Sequence, residues 1–145
     1  MATYSSILVA TDFSEVSEQA FEYALYLCET LGARLYIVHA YTLPAYIAPI
    51  EGSFVAPPEY VAELSNRMQQ KLDELRDRAK KRIEQVETKL VVGVSYTEVP
   101  RLADELGVDL IVVCTHGRSG LRHAVMGSVA ERIVRLASCP VLSVR

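Results

Sequence analysis

Ser6-Ile7-Leu8-Val9-Ala10-Thr11-Asp12-Phe13-Ser14 is the stretch from which the fold can be read. Its first half is apolar at consecutive positions instead of alternate ones, which marks a parallel strand covered on both faces. Its second half turns polar at once and ends on Ser14, whose hydroxyl suits the N-cap of a helix. Further runs of the same kind are Leu35-Tyr36-Ile37-Val38-His39-Ala40, Lys89-Leu90-Val91-Val92, Leu110-Ile111-Val112-Val113-Cys114 and Val141-Leu142-Ser143-Val144.

Helical spacing fills the intervals. Ala20, Ala24, Leu27, Cys28 and Leu31 recur on one face between Ser14 and Gly32, a suitable C-terminal stop. From Pro58, the residues Val61, Leu64, Met68, Leu72, Leu75, Ala79, Ile83 and Val86 step by 3, 4, 4, 3, 4, 4 and 3, predicting one long amphipathic helix. A third helix is expected with Thr97 as N-cap, because a start at the Ser95-x-x-Glu98 box would bring Pro100 into its interior. A fourth starts near Ser128 and ends before Pro140. The segment 41–57, with three prolines and the apolar Ile47, Ile50, Phe54 and Val55, reads as a long loop or flap.

Alternating strands and helices imply an α/β fold in three layers, a doubly wound five-stranded parallel sheet with right-handed crossovers. The expected strand order is 3-2-1-4-5. In such a sheet the chain winds one way from strand 1 and the other way from strand 4, and ligands bind where the two directions part. That crevice would be lined by Ala10-Thr11-Asp12-Phe13-Ser14 and by Cys114-Thr115-His116-Gly117-Arg118-Ser119-Gly120. The second loop runs on to Gly127 and Ser128 at the start of the fourth helix, where amide donors meet a positive dipole end. Glycines that admit close approach, followed by helix amides, have the chemistry of a phosphate cradle.

Composition narrows the classes. The 145 residues are expected to form one domain, burying about two thirds of their unfolded surface. The apolar runs fall far short of the roughly 20 residues that cross a bilayer, and the N-terminus lacks the basic and apolar regions of a signal peptide. No membrane partner and a cytoplasmic location are therefore expected. Cys28, Cys114 and Cys139, at unrelated spacings, suit small buried hydrophobes in a reducing compartment. With 15 basic and 18 acidic side chains, a net charge of −3, no general field attracts nucleic acid. The charge is nevertheless uneven: residues 1–111 carry 10 basic and 17 acidic groups (−7), residues 112–145 carry 5 and 1 (+4).

Neither a lysine-ended phosphate loop nor Gly-x-Gly-x-x-Gly after strand 1 is present. No Gly-x-Ser-x-Gly elbow supports a serine hydrolase. Asp12 is the single acid that the strand ends bring to the crevice, too little for an acid/base pair. Cys114 would be a reactive thiol only if Arg118 or the helix end lowered its pKa. His39, His116 and His123 with Cys114 have no standard zinc spacing, so no metal site is expected.

Along essentially its whole length the chain resembles the universal stress protein family. The matching stretches are Ile7 to Ser14, Val38-His39-Ala40, Gly107-Val108-Asp109-Leu110-Ile111-Val112-Val113 and Pro140-Val141-Leu142-Ser143-Val144. ATP-binding members carry Gly-x2-Gly-x9-Gly-Ser/Thr, which aligns with Cys114, Gly117, Gly127 and Ser128, so the first glycine of the motif is here a cysteine. The resemblance implies a Rossmann-like or flavodoxin-like fold of the adenine nucleotide alpha hydrolase-like type. It further implies that Ala10, Thr11 and Asp12 border a nucleoside, that the Ala40 main chain reads the adenine edge and that Val113 borders the nucleoside from strand 4. Gly117, Gly127, Ser128 and Val129 would hold phosphates, and Cys114 would lie where backbone approaches ribose or phosphate. Charge adds Arg118. The implied ligand is ATP, or ADP or AMP, with Mg accompanying the nucleotide, and the implied assembly is a homodimer through strand 141–144. The expected function is a nucleotide-dependent stress-response regulator whose ATP hydrolysis, if any, is slow. The alternatives are a nucleotide-free dimeric interaction protein of the same fold, or an enzyme or flavodoxin-like carrier.

Overall fold

The computed structural model describes residues 3–43, 56–116 and 127–145. The elements are β1 Ser6–Ala10, α1 Glu15–Leu31, β2 Arg34–Tyr41, α2 Pro58–Lys80, β3 Val86–Val92, α3 Ser95–Leu106, β4 Leu110–Cys114, α4 Ser128–Leu136 and β5 Val141–Val144. The strands form one five-stranded sheet in the order β3-β2-β1-β4-β5. Every pairing is parallel, with Ile7 opposite both Leu35 and Leu110. Fold class and strand order are those expected from the apolar runs.

Consecutive apolar residues in β1 serve opposite faces of the sheet. Ile7 and Val9 join Phe21, Ala24 and Leu25 of α1 and Leu72, Leu75 and Ala79 of α2 in one core. Leu8 joins Val99, Leu102 and Ala103 of α3 and Ala130 and Ile133 of α4 in the other. Ile7, Leu8 and Val9 are all 0% exposed, so the middle of the strand has no solvent side and favours apolar residues at all three positions.

Local signals at α1 act as read. The Ser14 side chain accepts from the Ser17 amide, and Gly32 takes the left-handed conformation (φ 68°) that ends the helix.

Two helix boundaries differ from expectation. α2 ends at Lys80, not at Val86. Ile83 follows a turn in which the amides of Arg82 and Ile83 both donate to Ala79, and Val86 opens β3 opposite Leu35. The helical spacing ran on because Ile83 and Val86 face the same core as α2, although they reach it from a turn and a strand. β3 accordingly begins at Val86, three residues before the expected Lys89. α3 starts at Ser95 with Val94 as its N-cap, so neither Thr97 nor Ser95 caps it, and Pro100 lies inside the helix. Proline there removes one internal hydrogen bond. Burial of Val99, Leu102 and Ala103 against the sheet offsets that loss, and Pro100 is itself buried. Most of the expected flap, 44–55, lies outside the described residues.

At the opposite end of the sheet from the crevice, Asp109 ties β4 to β1. Its Oδ2 accepts from the amides of Ser5 (2.8 Å) and Ser6 (2.9 Å) and from both serine hydroxyls. The Ser5 bonds, followed by those of Ser6, lower its pKa below the ordinary aspartate value. A carboxylate with a depressed folded-state pKa stabilises above its unfolded value, and the contribution disappears as pH falls through the folded value. Asp109→Ala is expected to cost about 1 kcal/mol at neutral pH. Denaturant unfolding checks this at neutral pH and at successively lower pH: the gap between variant and parent should begin to narrow at the ordinary aspartate pKa and close below the depressed folded value.

Candidate nucleotide site at the carboxyl ends of strands 1 and 4

α1 and α2 cover one face of the sheet while α3 and α4 cover the other, so the winding direction changes between β1 and β4. At that point lies a cavity of about 270 Å³. Ala10, Thr11 and Asp12 line it from β1, Ala40 from β2, Val113, Cys114 and Thr115 from β4, and Gly127, Ser128, Val129, Ala130 and Ile133 from α4 and its entrance. The small side chains of Ala10 and Ala40 leave the strand ends open to a flat group.

The β1–α1 turn is built to hold Asp12. One carboxylate oxygen, Oδ1, accepts from the Ser14 amide at 3.0 Å and from the Ser14 hydroxyl, close to the N-terminus of α1, where negative charge is favoured. Phe13 then has φ 62°, the one positive φ among the described non-glycine residues. That conformation costs on the order of 1 kcal/mol. Its amide donates to Thr11 Oγ1 at 3.0 Å, and its ring packs on His39 with centroids 4.4 Å apart. The strain is thus offset by contacts on both sides of the turn.

The α4 entrance is equally constrained. The Gly127 amide donates to the Thr115 carbonyl at 2.6 Å, and a Cβ built on Gly127 would meet that oxygen at 2.6 Å. Its φ of −60° is ordinary, so glycine is required here by close approach alone. The Glu131 amide donates to the Gly127 carbonyl, and Gly127 has no side chain to cap the helix. The amides of Ser128, Val129 and Ala130 therefore have no intrahelical acceptor and form a donor set for an anion.

Cys114 faces this space with its thiol pushed up to about 11, first by burial and then by the negative charge of Asp12. Burial likewise pushes Cys28 up to about 12 and raises Cys139. Among the described residues, burial and Asp12 both oppose the Cys114 thiolate, and Arg118, the side chain expected to favour it, lies outside them.

The structure brings together Ala10, Thr11, Asp12, Ala40, Val113, Cys114, Gly127, Ser128 and Val129. Gly117 and Arg118 lie outside the described residues. Thr115 lines the cavity as expected from the second loop, and the residues that sequence reasoning did not include are Ser95, Ala130 and Ile133. Ser95 reaches the cavity because α3 starts there, so a correct helix start would have found it.

The universal stress protein family model matches residues 3–145. The chain belongs to this family. Among its relatives, the universal stress protein MJ0531 of Methanocaldococcus jannaschii is 32% identical over 144 residues, covering 98% of this chain and 82% of its own length. The universal stress protein UspA from Lactobacillus plantarum shares the fold with a TM-score of 0.84, at 22% identity and full coverage of both chains. Another member of the family, solved in complex with cAMP, is 28% identical with a TM-score of 0.75, covering 99% of this chain and 98% of its own.

The charge argument for Cys114 has a direct check. In a variant retaining Cys114 as its one thiol, alkylation should be slow at neutral pH and rise toward pH 11. Asp12→Asn removes the nearby negative charge and should move that profile to lower pH.

Proposed function

We propose that this universal stress protein binds ATP or a related adenine nucleotide in the crevice between β1 and β4 and acts as a dimeric, nucleotide-dependent regulator in the cytoplasm. The observation that carries the reading is the convergence, at the switch point of the sheet and among the described residues, of one cavity, one carboxylate and the start of α4, where Gly127 supplies no side-chain cap. The related protein solved with cAMP supports an adenine ligand.

The donor set fits such a ligand. Ala10 and Ala40 give a flat base room at the strand ends, and the Ala40 main chain offers hydrogen bonds to its edge. Asp12 accepts from ribose hydroxyls, with Thr11 beside it and Val113 packing against the nucleoside. Gly127, Ser128 and Val129 present amides to phosphate, and Gly117 and Arg118 are assigned to the same phosphates from sequence. Cys114 adds a side chain where ATP-binding relatives have glycine, which narrows the space near the ribose. Mg would accompany the triphosphate, since one carboxylate is a poor magnesium site on its own.

Hydrolysis is expected to be slow. Among the described lining residues Asp12 is the only carboxylate, and it already accepts from Ser14. The homodimer is assigned to β5, which pairs with β4 on one side and has Leu142 36% exposed. Pairing with a second copy would satisfy an open strand edge.

Titration with ATP and GTP tests the reading. At about a hundredfold excess over Kd, ATP should stabilise the protein by about 2.7 kcal/mol, roughly 8 °C in Tm for a chain of this size. Gly127→Val, which forces the α4 entrance away from Thr115, should weaken ATP about tenfold or more while leaving the far-ultraviolet circular dichroism unchanged. Equal shifts with GTP would contradict adenine recognition. An unmoved midpoint with every nucleotide would favour the nucleotide-free interaction protein.

A further inference from the structure

In a parallel ladder each strand residue points its N–H and C=O to the same side, and successive residues alternate. The last β1–β2 pair is Ala10 opposite Val38. One residue on, the Thr11 amide still donates to the Val38 carbonyl at 2.9 Å. Continued by one more step, the ladder would join the Thr11 carbonyl to the Ala40 amide. That carbonyl instead accepts from the His39 ring, Nδ1 to O 2.7 Å. Since a carbonyl oxygen can only accept, Nδ1 carries the proton.

Alternation from Val38 turns the N–H and C=O of Ala40 toward the β1 side of the sheet, beyond the end of β1, and Ala40 lines the cavity there. His39 is buried, 8% exposed, and its ring packs against Phe13, with centroids 4.4 Å apart, and lies parallel to the Tyr41 ring at 6.3 Å. The same imidazole therefore ends the ladder and supports the strained turn that carries Asp12.

We propose that His39 is a positioning residue for base recognition: its ring N–H takes the Thr11 carbonyl, stops the β1–β2 ladder and leaves the Ala40 main chain to the adenine edge. The ligand half of this inference rests on the nucleotide reading above, whereas the ladder half does not. His39 need not touch the nucleotide. Its effect passes through two neighbours, Ala40 for the base and the Thr11–Asp12 turn for the ribose.

Amide hydrogen exchange followed by NMR tests the ladder half on the ligand-free parent, without any variant. The Ala40 amide should exchange far faster than the Val38 amide, which lies inside the ladder, and ATP should slow it. Ala40 protection equal to that of Val38 in the ligand-free protein overturns the proposal.

Two variants extend the test. His39→Leu removes the donor, so the ladder should gain a step and protect Ala40, and ATP should bind about tenfold more weakly with its preference over GTP reduced. His39→Asn places an amide donor near the position of Nδ1 and should restore rapid Ala40 exchange and most of the preference. A merely structural histidine would weaken ATP and GTP alike, in proportion to lost stability, and Asn would restore neither readout; that result also overturns the proposal. If ATP fails to bind the parent while Ala40 exchange responds to His39→Leu as stated, the nucleotide reading falls and the ladder-ending role of His39 stands.

Discussion

β1 pairs in parallel with β2 on one side and β4 on the other, and this double pairing governs the molecule. A parallel neighbour can be reached only by a crossover, and right-handed crossovers in opposite directions must lie on opposite faces. α1 and α2 therefore take one face, α3 and α4 the other. The chain leaving β1 and the chain leaving β4 part at the carboxyl ends and leave a gap that no helix among the described residues fills. The site is a consequence of burying Ile7, Leu8 and Val9 from both faces, with no separate scaffold required.

Much of this was legible because the strongest signals are local. Consecutive apolar residues in β1 and β4, the Ser14 cap and the Gly32 stop each act within a few residues of themselves. The misplaced boundaries, at the end of α2 and the start of α3, are those where tertiary packing overrides a local rule. Ile83 and Val86 keep the helical spacing of α2 because they serve the same core, so spacing alone could not separate helix from turn and strand. Pro100 argued for a later start to α3, yet the burial of Val99, Leu102 and Ala103 outweighs one lost hydrogen bond.

The site was legible to a similar depth. Strand ends could be located, so Asp12 and Cys114 could be assigned to one crevice and Gly127 to the loop that returns from it into the fourth helix, whereas Val113 came from the family resemblance alone. What spacing could not supply is the contact between His39 and the Thr11 carbonyl, across 28 positions of chain, or the arrival of Ser95. The positive final quarter of the chain also acquires a more specific reading. The Arg132 guanidinium lies 4.5 Å over the Tyr96 ring and links α4 to α3, while Arg135 pairs with Glu131 at 2.8 Å. Those two charges serve the packing and surface of α4. Phosphate binding in an acidic protein would then rest on the α4 amides and Arg118, with little help from net charge.

The central claim, an adenine nucleotide seated at the switch point of the sheet, is tested most directly by mapping amide chemical shifts during an ATP titration of the labelled protein. The account predicts saturable changes concentrated at Asp12, Ala40, Val113, Ser128 and Val129. Changes confined to the outer face of α2 or to β3, or no saturable change at millimolar ATP, would contradict it.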